Sequence, residues 1–497
     1  MIRRRELLAG LPAAALLGAR PAQAADPALD APPPPGPPRP VSIPPLHEER
    51  LPNGMTVVVA PRRGLPLVSA TLLVRVGAES DPPDGAGLAE LVAGLLTKGA
   101  ERGGRPVGAP EIARQAEALG GSLDAGSGWR SSSVGMTVTP PRLDAALALM
   151  SDALRSPLLQ PQELERLRVQ AVDNLRVAES DPGSIADRVA RRLYWGGGAY
   201  GAVTSAASLQ RLTRDEVVGF HRQGYRPGQS LLVLAGDITP EQGQALAERH
   251  FGGWRPNRMN PLPRRDGVGA PLSPRSVLVD LPGAGQSAVI VLAPFTSLSS
   301  DDRPELRAAQ VANAVLGGGY SARLNQEVRI RRGLSYGAGT SVEMHPEGGA
   351  WQASAQTDHR NAAQVAGLLR DEVLRLGQAP PSAEELAARQ ATLVGSFSRR
   401  LETNGGVASL VAGQWAQGRP LADLANYVPE ILAVTPAQVR DFAVRRWKAQ
   451  DLRTVVVGDV RAAPEAFAAL ADADATALRL RADALVFDGP GLQAPPR

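Results

Sequence analysis

The sequence predicts an α+β fold of two homologous halves, each a mostly antiparallel sheet with helices packed on it, forming a clamp around a chamber. Three observations predict it. Strand-like and helix-like stretches are mixed without strict βαβ alternation. The segment Leu232 to Ile238, with Gly236-Asp237 near its end, returns as Thr454 to Val460, with Gly458-Asp459, and each is preceded by a similar helix, Thr213–His221 and Thr435–Trp447. A Pro- and Arg-rich stretch at 255–275 separates the two occurrences and reads as a linker between units of domain size.

In the first half, 46–254, Leu51-Pro52-Asn53-Gly54 is a turn before a β-branched strand, Met55 to Ala60. Leu67 to Val76 is a second strand. Leu88, Leu91, Val92, Leu95 and Leu96 lie at the i, i+3, i+4 spacing of a buried stripe, so Gly87 to Gly99 is read as a helix with Glu90, Ala93 and Gly94 on its other face. Ala109 to Leu119 is amphipathic. Ser122–Ser127 and Ser131–Val138 pair as a hairpin, followed by helices at Pro141–Leu154, Gln162–Val177 and Asp181–Tyr194. Trp195-Gly196-Gly197-Gly198 reads as a flexible turn.

The second half, 276–460, restarts the pattern. Ser276–Asp280 and Gln286–Pro294 are strands. Pro304–Leu316 is a helix ended by Gly317-Gly318-Gly319, a run that lets a peptide approach the backbone or simply stops a packed helix; the second reading is preferred. Tyr320–Arg332 is a helix, Leu334–Glu343 and Ala350–Thr357 pair as strands, and Asn361–Leu376 and Ser382–Leu401 are long helices. Residues 461–497 read as a tail of one helix and then disorder.

Composition narrows the function classes. The chain has 497 residues, 43% of them apolar, and a net charge of +4. Residues 1–24 carry four Arg and one Glu, which leaves about +1 for the rest and argues against nucleic-acid binding. The absence of Cys excludes disulfides, thiolate zinc sites, a Cys nucleophile and a lipid-bearing Cys. Arg3 to Arg5, an apolar run from Leu7 to Leu17 and Ala22-Gln23-Ala24 form a signal peptide over 1–24, of secretory or twin-arginine type. A Pro-rich linker follows over 25–45. The expected location is periplasmic or secreted, with no membrane span.

An ordered set of stretches now resembles a known family. It comprises Leu51–Gly54, Gly87-Leu88-Ala89, Lys98-Gly99, Tyr200-Gly201, Leu212-Thr213, Tyr225-Arg226-Pro227, Gly317 to Leu324 and Gly333 to Gly337. Together, over about 46–460, they resemble the pitrilysin/insulinase superfamily of zinc peptidases, in its short, processing-peptidase-like bacterial branch. The resemblance implies an H-x-x-E-H zinc helix. Its first His, its Glu and its second His fall on Glu90, Ala93 and Gly94, and the distal zinc-binding Glu falls at or next to Asn174. Ala93 cannot activate water and Gly94 cannot hold a metal. The five His residues, 47, 221, 250, 345 and 359, offer no i, i+4 replacement.

The resemblance also implies an Arg and a Tyr from the second half that lie over the zinc site and grip the substrate backbone. Arg329 and Tyr336 match those places. Read from their chemistry alone, both are donors suited to a peptide carbonyl or a developing oxyanion, or else an Arg that solvates a helix face beside a packed Tyr. The expectation is a non-catalytic subunit of an exported heteromeric zinc endopeptidase, inactive alone. It holds no cofactor of its own; zinc sits in a family partner, and the substrate is a peptide or unfolded polypeptide. The alternative is a structural, assembly or peptide-binding scaffold with no proteolytic role.

Overall fold

The computed structural model describes residues 41–255, 259–260, 262–263, 267–298, 302–489 and 491–493. The expected signal peptide, most of the Pro-rich linker and parts of the 255–275 linker lie outside the described residues. From Ile43 onward the chain forms one unit.

The first half opens with β1 (His47–Arg50), which pairs antiparallel with β2 (Thr56–Pro61) across the Leu51–Gly54 turn. Asn53 fixes the turn: its Oδ1 accepts from Met55 N at 3.1 Å, and its Nδ2 donates to Phe251 O at 2.7 Å. Next come β3 (Val68–Val74), α1 (Leu88–Leu95), the hairpin β4 (Gly99–Arg102) and β5 (Arg105–Gly108), and α2 (Ala109–Ala118). The pair β6 (Asp124–Ser127) and β7 (Ser132–Val138) leads into α3 (Leu143–Arg155), α4 (Pro161–Ala178), α5 (Pro182–Trp195), α6 (Ala206–Arg211) and α7 (Arg214–Gly224). Strand β8 (Ser230–Gly236), wholly buried, enters mid-sheet, and α8 (Pro240–Phe251) follows. The sheet order is β1-β2-β8-β3-β7-β6, antiparallel except for the β2–β8 pair.

The second half contains β9 (Ser276–Asp280), β10 (Ser287–Phe295), α9 (Arg303–Gly317), the single turn α10 (Arg323–Asn325), β11 (Ser335–Met344) and β12 (Gly349–Thr357). It continues with α11 (Ala362–Gln378), α12 (Ala383–Leu401), α13 (Asn404–Ala416), α14 (Tyr427–Leu432), α15 (Pro436–Arg446), β13 (Arg453–Gly458), α16 (Pro464–Asp472) and β14 (Leu478–Arg481). Its sheet runs β14-β9-β13-β10-β12-β11. Position by position this matches the first sheet, with β9, β13, β10, β12 and β11 in the places of β2, β8, β3, β7 and β6. The repeat is therefore a repeat of topology. Only the outermost strand differs: β1 comes from the start of the chain and runs antiparallel, whereas β14 comes from its end and runs parallel.

The halves are interlocked by an exchange of helices. Helix α5 of the first half packs on β10 and β13 of the second sheet, where Ile185, Val189 and Leu193 share a core with Val279, Ile290 and Val455. Helix α13 of the second half packs on β3 and β8 of the first. There Trp415 lies under the guanidinium of Arg75, 3.7 Å from its ring centre. A second lock joins the halves at Glu343 on β11, which accepts from Arg191 at 3.0 Å and from Trp195 Nε1 at 3.3 Å and meets His345 Nε2 at 3.0 Å. His345 stacks on Tyr200 with ring centres 3.6 Å apart.

Several expectations need correction. Residues 461–489 are not a loose tail: α16 packs on α11, β14 extends the second sheet, and Phe487 is buried against it. The Trp195–Gly198 turn is clamped, not flexible. Gly269 N donates to Trp195 O at 3.2 Å, and a methyl group on Gly196 would lie 2.0 Å from Ala270 O. Helices α8 and α13 and the β4–β5 hairpin were not anticipated. The helix expected from Tyr320 starts only at Arg323, because Gly319 and its neighbours hold the preceding chain out of helical geometry.

Candidate functional site

Helix α1 starts where it does because Asp81 reaches its first turn. The buried carboxylate accepts from Gly87 N at 2.9 Å and from Ala89 N at 2.8 Å, and Gly87 takes φ of 102° as the N-cap. Of the three residues read onto its open face, Glu90 is exposed and Gly94 half-exposed, whereas Ala93 is fully buried. Ala93 therefore belongs to the packed side: α1 is short and is covered by α4, α7 and β6, so its buried arc is wider than the leucine stripe.

Asn174 lies on α4, and that helix brings it to the same cavity as Glu90 and Gly94. The cavity measures about 460 Å³, and its walls are Leu91, Leu167, Leu175 and Leu209. A methyl group on Gly94 would stand 3.3 Å from Leu167 Cδ1, so this side of the cavity is walled by hydrocarbon. Zinc does not fit these residues: they offer one carboxylate, one amide and no imidazole. Among the described residues no cluster of three or more His, Asp or Glu side chains could hold a metal ion. The buried His side chains are engaged elsewhere. His221 Nε2 lies 2.8 Å from Leu154 O, with desolvation holding its pKa low, and His359 lies between Ser287 and Ala284 O.

Arg329 and Tyr336 do come together. The Arg329 guanidinium carbon is 5.0 Å from the Tyr336 ring centre and 4.9 Å from that of Tyr320. Two phenol rings thus hold one arginine, and both are open to solvent, Tyr336 at 91% and Tyr320 at 63% exposure. Among the described residues the Arg329 guanidinium has these ring contacts and no hydrogen bond or ion pair, unlike its neighbours Arg331 and Arg332, which both pair with Glu327. Burial pushes the Glu327 carboxyl up, but those guanidiniums outweigh it and leave its pKa below the ordinary value.

The local backbone explains this presentation. Arg329 sits in a π-helical turn, Gln326–Ile330, closed by Arg331 N to Gln326 O at 2.9 Å. Such turns widen a helix and occur often at functional sites. Tyr336 sits in a β-bulge between Ser335 and Ala338, where Ser335 Oγ donates to Gly337 O at 2.7 Å. Buried Asn325 ties the pieces together: its Nδ2 donates to Tyr320 O at 2.6 Å and its Oδ1 accepts from Ala338 N at 3.3 Å. Gly317 is needed for packing, since a methyl group there would lie 2.2 Å from Thr340 Oγ1 of β11. The glycine run is therefore a packed helix stop, though its neighbour is a strand. Tyr320 and Asn325 were missed as site residues. The available signal was an aromatic directly after a glycine run in a chain with only 4% aromatics.

Three neighbouring cavities lie between the two places. The one at Glu90 shares Leu175 and Thr204 with a second of about 680 Å³. The second shares Asp187, Ser341 and Gln352 with a third of about 590 Å³, which reaches Tyr336. The third cavity is lined by residues of β10, β11 and β12 together with Gly183 and Asp187 of α5.

Comparison with known proteins agrees with this architecture. Residues 57–198 match the family model described as insulinase, peptidase family M16, and residues 211–393 match the peptidase M16 inactive domain. A Streptomyces coelicolor protein described as an uncharacterized zinc protease is 24% identical over 411 residues, covering 80% of this chain and 86% of its own. The Helicobacter pylori non-peptidase homolog YmxG is 23% identical over 423 residues, covering 83% and 94%. The crystal structure of a protease from Helicobacter pylori superposes with a TM-score of 0.77 at 18% identity, over 84% of this chain and all of that one. With both halves matched in order and no H-x-x-E-H anywhere in the sequence, the chain belongs to the insulinase family, peptidase family M16, as a member that lacks the zinc motif.

Proposed function

We propose that this chain is the non-catalytic subunit of an exported, heteromeric zinc endopeptidase. It presents Arg329 and Tyr336 to a peptide whose scissile bond lies at the zinc of a family partner. The observation that carries the reading is the contrast between the two places. The face beside Glu90 and Asn174 offers no imidazole and lies among leucines, whereas Arg329 is held between two exposed rings by a π-turn, a bulge and a buried Asn325. Holding an unpaired guanidinium in a fixed orientation at the surface costs side-chain entropy, which an uninvolved surface arginine has no reason to expend.

In this reading the guanidinium and the Tyr336 hydroxyl donate to the substrate carbonyl, whose oxygen gains negative charge as the bond is attacked. The partner supplies the metal and the activated water. The leader pattern at 1–24 supports export, and no helix among the described residues is long and apolar enough to cross a membrane.

The test is reconstitution with an M16 protein from the same organism that carries an intact H-x-x-E-H. The mixture should cleave an unfolded polypeptide faster than the partner alone, and Arg329→Ala with Tyr336→Phe should cut the gain by roughly ten- to a hundredfold. A double variant that activates as well as the native chain refutes the assignment. Stable assembly without any activation supports the scaffold reading instead.

A further inference from the structure

The cavity beside Glu90 has no task in the mechanism above, yet it has the form of a binding site. Its walls are mostly hydrocarbon, from Leu91, Leu167, Leu175 and Leu209, with the neutral polar side chains of Gln170, Asn174 and Thr204 among them, and Glu90 is the one charged residue that lines it among those described. Glu90 lies in the first turn of α1 and is exposed at the mouth of the cavity. Among the described residues it makes no ion pair or hydrogen bond. The charges along the adjoining cavity are differently placed. Arg188 is paired with Glu179 at 3.0 Å, Arg191 with Glu343 at 3.0 Å, and Asp187 accepts from Gln352 at 2.7 Å. A largely apolar cavity with one carboxylate at its rim and neutral amides beside it suits an aliphatic stem that ends in a cation. This cavity and the two that lead to Tyr336 share lining residues and so lie in a row, along which an extended chain can send one side chain into this one.

We propose that the cavity beside Glu90 takes a lysine or arginine side chain of a peptide lying along this row. Its methylenes lie on the leucine walls and its charged head meets the Glu90 carboxylate. The proposal rests on the row of cavities being a peptide site, but not on any activity of a partner.

The test is direct binding by the purified mature chain alone. The probe is a fluorescein-labelled extended peptide with one central lysine flanked by valines, followed by fluorescence anisotropy. Replacing that lysine by norleucine, which keeps the stem and removes the charge, should weaken binding roughly five- to tenfold. Glu90→Gln should weaken the lysine peptide by a similar factor and leave the norleucine peptide unchanged. Glu90 is exposed, so this variant should melt with the native protein. Ala171→Phe, which fills the cavity, should weaken both peptides; the norleucine comparison on native protein needs no variant and holds even if that one misfolds. Equal affinity for the two peptides, an undiminished affinity in Glu90→Gln, or no binding of the lysine peptide would each overturn the proposal. These outcomes are independent of reconstitution, so this pocket can fail while the Arg329 assignment stands, or the reverse.

Discussion

A single side chain decides how Arg329 is presented. Tyr336 covers it from β11, but Tyr320 supplies the second ring, and the two have different supports, since Asn325 holds the Tyr320 carbonyl while the bulge holds Tyr336. Each cation–π contact at an exposed site is worth about 0.5–1 kcal/mol. Replacing Tyr320 by Leu should therefore leave folding intact and loosen the guanidinium. In the reconstituted peptidase this should lower kcat about three- to fivefold with KM nearly fixed, and Tyr320→Phe should restore it, because the ring rather than the hydroxyl does the stacking. A loss that Phe fails to restore would show that the hydroxyl is what matters. At this scale the sequence was only partly legible. Residue chemistry could nominate Arg329 and Tyr336, and family resemblance placed them. Tyr320 lies nine residues before Arg329, across a glycine run and a change of helix type, so no periodic spacing points to it. Ala93 was misplaced for the opposite reason: a regular spacing was read too strictly on a helix covered from several sides.

Among the elements, those with strong periodicity were legible and those defined by interruption were not. The β2, β3, β8, β10 and β13 strands are runs of Val, Leu and Ala bounded by turn residues, and helices α4, α11 and α12 are long and amphipathic. The π-turn and the bulge carry no such signature, because each is a fault within a regular pattern. The same strand β11 that carries the bulge is touched by α9 at Gly317 closely enough to exclude any side chain there. Gly317→Ala should destabilise the protein by about 1–3 kcal/mol in urea unfolding, since the methyl group drives into Thr340. Thr340→Gly should recover part of that loss in the double variant, although not in the native background. Additive losses in the double variant would mean that the strain is relieved elsewhere.

For the molecule as a whole, the sequence correctly indicated two similar halves, and their internal order proved to be the same topology. It did not indicate that they exchange helices, since α5 and α13 look like ordinary amphipathic helices of their own halves. What a helix covers is a long-range fact. The Glu343 cluster is part of this join and gives it a pH response. Burial raises the Glu343 carboxyl, but His345 and Arg191 outweigh that and bring its pKa down from 4.5 to about 2. A carboxyl depressed in the folded state adds stability above its unfolded value and loses it as pH falls toward the folded one. The join should hold fully above about pH 4.5 and weaken below it, by on the order of 2 kcal/mol across the window. Urea midpoints measured from pH 5 to pH 3 should fall for the native protein and fall less for Glu343→Gln. Parallel curves would remove Glu343 from the account.

The exchange of α5 and α13 also dictates an order of events during synthesis. The first sheet is complete once β8 has been made, yet one of its faces stays bare until α13 arrives from much later in the chain. Conversely, α5 emerges early with its apolar side exposed and has nothing to rest on until β10 and β13 exist. Neither half can finish folding during synthesis while the other is unmade. The nascent chain thus carries two sticky surfaces for most of its elongation, and a truncation anywhere before α13 yields an aggregating fragment where two tandem domains would have left one intact.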